Sequence, residues 1–92
     1  MDELRVEIDR IDRDLVRLLA RRAACIDRAA EIKRGNGLPA RIESRVEDVV
    51  AKVRAEAEMR GLDAAAVEAL WRAMIDWSIA REERVLGRGT DG

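Results

Sequence analysis

From Leu4 to Lys33 the chain carries neither glycine nor proline, and its apolar residues return at three- and four-residue steps. The series is Leu4, Ile8, Ile11, Leu15 and Leu18, then Cys25 or Ile26, Ala29 and Ile32. Such spacing predicts one amphipathic helix. Asp2 can cap it, Glu3 suits its positive end, and Arg34-Gly35-Asn36-Gly37 supplies a left-handed stop. The helix would hold about 32 residues and measure on the order of 50 Å. Everything after it must help to cover it.

The rest of the chain offers two shorter helices. Leu38-Pro39-Ala40 reads as an extended connector, because Pro39 disfavours helix at Leu38. A second helix spans about Ile42 to Arg60, with the stripe Ile42, Val46, Val49, Val50, Val53 and Ala57, and Gly61 stops it. Asp63 caps a third helix, Ala64 to about Leu86. Its apolar positions are Val67, Leu70, Trp71, Met74, Ile75, Ile79, Val85 and Leu86. Residues 87–92 are expected to fray. The pattern predicts an all-α fold and a single domain over residues 1–92. Each shorter helix spans roughly 30 Å, too little to cover a stripe on the order of 50 Å. Aromatic residues are 2% of the chain, so a lone bundle would have a thin core. A second copy is the simplest cover, and the expectation is an intertwined homodimer with the long helices paired.

Charge narrows the function. There are 18 basic and 19 acidic residues, which nearly cancel and argue against a general binder of nucleic acid or membrane surface. No apolar run is long enough to span a bilayer, and Met-Asp-Glu-Leu lacks the apolar centre of a signal peptide, so a cytoplasmic location is the expectation. Cys25, the single cysteine, sits among alanines and reads as a small buried hydrophobe. The chain has no histidine, so any catalysis must run on Arg, Lys, Glu, Asp and Ser.

Several charges fall on packing faces. At about 100° per residue, Arg22 lies within roughly 20° of Leu4, Ile11, Leu15 and Ala29, and Lys33 within roughly 20° of Arg22. Glu82 falls within roughly 20° of Ile75 and Trp71 and about 40° from Ser78, while Arg45 sits about 40° from Val49. Arg22, Lys33, Arg45, Ser78 and Glu82 can therefore all face the space between helices. They can pair across the bundle or reach past its ends. Yet three cations then meet one carboxylate, and a surplus of about two positive charges suits a small dianion. Arg5 lies about 100° around the helix from Arg22, so it can join such a cluster only in a partner chain.

These residues resemble a known family, the all-helical chorismate mutases. The likeness rests on Leu4-Arg5, Ile8-Asp9-Arg10-Ile11-Asp12, Leu18-Leu19-Ala20-Arg21-Arg22, Ile32-Lys33, Pro39 with Arg45 six residues on, Gly61-Leu62-Asp63, and Ser78 with Glu82. The resemblance implies a homodimer of three-helix chains and a one-substrate rearrangement of chorismate to prephenate, with no cofactor and no metal. It implies that Arg22 and Arg45 hold the substrate's carboxylates and that Arg5 enters the neighbouring subunit's site. It further implies that Lys33 and the side chain at position 82 donate to the ether oxygen, and that Ser78 adds a polar contact to a carboxylate. Catalysis would come from holding the compact conformer and stabilising charge on that oxygen.

Three departures shape the expectation. Many bacterial relatives carry Gln where Glu82 stands, and a carboxylate donates no hydrogen bond, so Glu82 would have to work protonated. Val46 and Ile42 replace acids that some mutases place near the ring hydroxyl, which makes that pocket more apolar. Isochorismate-pyruvate lyases share the fold, and Arg45-Val46 and Trp77 look similar to theirs. Mutases of the 4-amino analogue of chorismate are a further alternative. The length of the connector and Ser78 favour chorismate. Trp77 points roughly 140° from Glu82 and reads as packing or dimer interface. From a different class, a non-catalytic helical dimerisation module would explain the surface charges but not cations on apolar stripes.

Overall fold

A computed structural model describes the backbone of residues 1–91 and the side chains of residues 1–86. It is all-α, in the order α1 (Asp2–Asn36), α2 (Glu43–Met59) and α3 (Ala64–Asp91). The predicted stop of α1 is present. Gly37 sits at φ 70°, in the left-handed region, and the N–H of Leu38 returns to the Lys33 carbonyl at 2.8 Å. Gly61, at φ 75°, turns the chain between α2 and α3. Asp63 Oδ1 accepts from the N–H groups of Ala65 (2.9 Å) and Ala66 (3.3 Å), the cap expected of it. Asp2 does not cap: the helix starts one residue earlier than expected, with Met1 at the cap position and Asp2 inside the first turn. There its charge still faces the positive helix end. The backbone of α3 continues to Asp91, past the expected end at Leu86. The expected fraying concerns residues 87–92, of which the side chains, and residue 92 altogether, lie outside those described.

α3 is the central element. The second half of α1 and the whole of α2 pack on it, while α1 and α2 make no close backbone approach to each other. The core is small and aliphatic: Ala40, Val46, Val50, Ile75 and Ile79, with Val49, Trp71 and Leu86 packed against it. Leu70, one of the apolar positions of α3, is 67% exposed. It lies on the face of α3 that neither α1 nor α2 reaches.

Every residue of α1 up to Arg21 is exposed, including the whole stripe from Leu4 to Leu18. The chain is 54 Å long with a radius of gyration of 16.1 Å. A globule of this length would have a radius of gyration of about 12 Å. Its accessible surface is 7054 Å², against about 5400 Å² for a folded monomer of 10.4 kDa. The excess comes from α1 projecting beyond its support.

An exposed lattice of ion pairs ties the helices outside this core. Arg72 bridges Glu47 of α2 and Glu68 of α3, Arg54 also reaches Glu68, and Arg81 grips both oxygens of Asp27 on α1. Arg72 holds the Glu47 carboxyl below the usual carboxylate range; Arg72, then Arg54, do so for Glu68, and Arg81 for Asp27. Their contribution is complete above the unfolded carboxylate value of about 4 and is lost as pH falls through the lower folded values. The urea midpoint is therefore expected to drop between pH 6 and pH 3, and to drop less in high salt. An unchanged midpoint would remove the lattice from the account of stability.

Candidate functional site

Because α1 and α2 meet only through α3, a cleft of about 390 Å³ opens between them. Ile75, Ser78, Ile79 and Glu82 of α3 form its floor. Arg22, Cys25, Ile26, Ala29 and Lys33 of α1 form one wall. Ala40 and Ile42 of the connector, with Arg45, Val46 and Val49 of α2, form the other. The volume suits a small molecule. A broader, shallower depression of about 730 Å³ lies beside Pro39, Arg41, Asp76 and Glu83, but there Arg41 is already bound to Asp76.

Lys33 and Glu82 meet inside the cleft. Lys33 Nζ donates to Glu82 Oε2 at 2.7 Å and to the Ala40 carbonyl at 2.9 Å. The Glu82 side chain is 5% exposed and that of Lys33 19%. The pair is thus withdrawn from water, where charge–charge attraction is less screened. The extended connector after the Gly37 cap brings the Ala40 carbonyl over the last turns of α1. That carbonyl was not among the expected site groups. A backbone acceptor leaves no mark in side-chain spacing, although the short path from Lys33 to Pro39 hints that the connector folds back.

Arg22 has no carboxylate partner among the described residues. Its Nη1 donates to Ser78 Oγ at 2.8 Å, and Ser78 Oγ donates in turn to the Met74 carbonyl at 2.9 Å. Ser78 is 3% exposed. Two of the expected cations therefore do face the seam, one neutralised by Glu82 and one held only by a hydroxyl.

Two other expectations change, for Arg45 and Cys25. Arg45 borders the cleft but is exposed, and its Nη1 donates to Asp48, which Lys52 also holds. It stands at the rim, one step farther around α2 than the packing face, because Val46 and Val49 fill the contact with α3. Cys25 is exposed on the cleft wall, not buried. Its side of α1 faces the gap where α2 fails to reach. Arg5 stands in the exposed part of α1, about 25 Å along the helix from Arg22. It takes no part in the cleft of its own chain. Trp77 lies outside the cleft, half exposed, with the Arg81 guanidinium 5.7 Å above its ring. No cluster of His, Cys, Asp or Glu suited to a metal occurs among the described residues, and no helix there is long and apolar enough to cross a membrane.

The fold and cleft define an all-α protein with a cationic pocket seated on its third helix. Residues 4–83 match the family described as chorismate mutase type II. The chain is 32% identical over 84 residues to the T-protein of Haemophilus influenzae, covering 91% of this chain and 22% of that protein. It is 33% identical over 88 residues to a bifunctional chorismate mutase/prephenate dehydratase of Aquifex aeolicus, covering 92% of this chain and 24% of that protein. Against the isochorismate pyruvate lyase of Pseudomonas aeruginosa the identity is 37% over 81 residues, 87% of this chain and 78% of that protein. The chain thus spans about a quarter of the length of the first two relatives. It belongs to the chorismate mutase type II family.

Proposed function

We propose that the chain is a chorismate mutase, working as a homodimer on a small dianionic substrate in the cleft over α3. The observation that carries this reading is Arg22, a cleft guanidinium with no acid against it among the described residues, beside the buried Lys33–Glu82 pair. Arg22, Lys33 and Arg45 line the cleft against one carboxylate, Glu82, which leaves the site short of negative charge. A dicarboxylate supplies that deficit, with Arg22 and Arg45 taking one oxygen set each and the partner's N-terminal arm bringing Arg5.

The rearrangement breaks one carbon–oxygen bond as a carbon–carbon bond forms within the same molecule. No proton, nucleophile or electron carrier is required. The chain's task is to hold the compact conformer and to meet the negative charge that grows on the ether oxygen. Lys33 supplies a charged donor for it. Glu82 supplies a second donor only when protonated; ionised, it accepts from Lys33 and offsets the very charge that the reaction uses. Glu82→Gln, which puts a permanent donor in place of an acceptor, is therefore expected to raise kcat. An unchanged or lower kcat would count against a donor role at position 82.

A lyase reading has one specific support: the α2 wall offers Ile42, Val46 and Val49 and no acid for a ring hydroxyl. Parallel assays separate the two. Loss of chorismate absorbance with prephenate formed supports the mutase. Salicylate and pyruvate from isochorismate, with chorismate untouched, replaces it with the lyase. Turnover of neither leaves the helical dimerisation module.

A further inference from the structure

Lys33 Nζ carries three N–H donors and spends two of them inside the chain, on Glu82 Oε2 and on the Ala40 carbonyl. One is left for a guest in the cleft, and the two spent bonds set its direction. Glu82 is buried on α3 and keeps its place with that helix. The Ala40 carbonyl belongs to no helix; it lies in the connector, residues 37–42. Leu38 is tied back to Lys33 by the stop of α1, and Ile42 accepts the first bonds of α2. Between them Pro39, Ala40 and Arg41 make no backbone–backbone hydrogen bond among the described residues. Side chains fasten this stretch instead. The Ala40 methyl packs in the core, and Arg41 Nη2 donates to Asp76 Oδ1 on α3 at 2.6 Å, with Nη1 reaching Glu43 at 3.4 Å. Ala40 lines both the cleft and the shallower hollow that holds Arg41 and Asp76, so the connector is the partition between them.

We propose that Asp76, acting through Arg41, is a positioning residue for Lys33: it pins the connector to α3 so that the Ala40 carbonyl stays against the ammonium. α3 then fixes Lys33 twice, directly through Glu82 and, about 9 Å along the same helix, through Asp76 and the connector. A lysine is a point charge on a flexible stem, and a single tether leaves it free to pivot. The Arg41 side chain is 43% exposed and that of Asp76 68%. Such a pair adds little to the stability of a whole fold. Here it acts on three residues with few other fastenings, so it sets position more than stability.

This inference rests on the reading of Lys33 as the donor to the ether oxygen, and the experiment separates the two. Asp76→Ala, Arg41→Ala and the double variant are assayed for kcat and KM with chorismate. Each single change is expected to lower kcat about two- to five-fold with KM nearly unchanged, and the double variant to lose no more than either. Additive losses, or a change in KM alone, would overturn the proposal. A second readout needs no substrate. The chain has two lysines, Lys33 and Lys52, so carbon-13 labelling of lysine gives two side-chain signals, with exposed Lys52 as the internal reference. The Lys33 signal is expected to stand apart in the unmodified protein and to move toward that of Lys52 in Asp76→Ala. An unmoved Lys33 signal overturns the proposal, and so does a moved signal with unchanged kcat. If the unmodified protein turns over neither chorismate nor isochorismate, the mutase reading falls, and the lysine spectrum alone decides whether Asp76 aims Lys33.

Discussion

Lys33→Ala is expected to lower kcat by two to three orders of magnitude, about 3–4 kcal/mol of lost charge stabilisation at the ether oxygen. The size follows from the setting. Lys33 Nζ is already stripped of most water, aimed by the Ala40 carbonyl and Glu82, and has no neighbouring lysine to replace it. The substitution has a structural side effect, because it leaves Glu82 buried without its partner. Lys33→Ala combined with Glu82→Gln removes that charge, and the pair of variants divides the loss. If the double variant folds as well as the unmodified protein and remains inactive, the defect is catalytic. If it regains normal turnover, Lys33 serves only to neutralise Glu82, and the assignment of Lys33 to the reacting oxygen is wrong.

The second large effect concerns the uncovered half of α1. Ile11→Asp with Leu15→Asp is expected to abolish self-association and activity together. Both residues are about half exposed in the single chain, so a charge at either place disturbs no contact within it. In a paired arrangement each apolar side chain gains roughly 1 kcal/mol as its exposed half is covered, and an unpaired aspartate there costs more than that gain. Sedimentation is expected to report a dimer for the unmodified protein and a monomer or unfolded chain for the variant. A monomeric, active unmodified protein would refute the pairing. Subunit mixing then tests Arg5. Neither Arg5→Ala nor Arg22→Ala is expected to turn over alone. Refolded together in equal amounts, they are expected to recover about a quarter of full activity, because half the dimers are mixed and each mixed dimer has one complete site. No recovery would confine Arg5 to the surface.

The frame of this fold was readable because it rests on local chemistry. Gly37, Gly61 and Asp63 act within a turn of their own positions, so their effects survive any tertiary arrangement. The helical angles also placed Arg22, Lys33, Ser78 and Glu82 at one seam. What spacing could not give was depth. Arg45 and Leu70 occupy positions that border a stripe, and whether a bordering residue is buried depends on how far the opposite helix reaches. Cys25 was misread for the same reason: α2 and α1 do not close over it. Hydrogen-bond partners were equally out of reach: spacing put Ser78 at the seam, and only the structure shows Arg22 donating to its Oγ and its Oγ donating to the Met74 carbonyl, four residues back on the same helix.

The surface in excess of a folded monomer has a practical corollary for anyone who heats or dilutes this protein. When the exposed flank of α1 is covered by another chain, unfolding and separation become one event, so the melting temperature climbs with protein concentration. A single stability value quoted without the molarity at which it was taken then describes the sample and not the sequence.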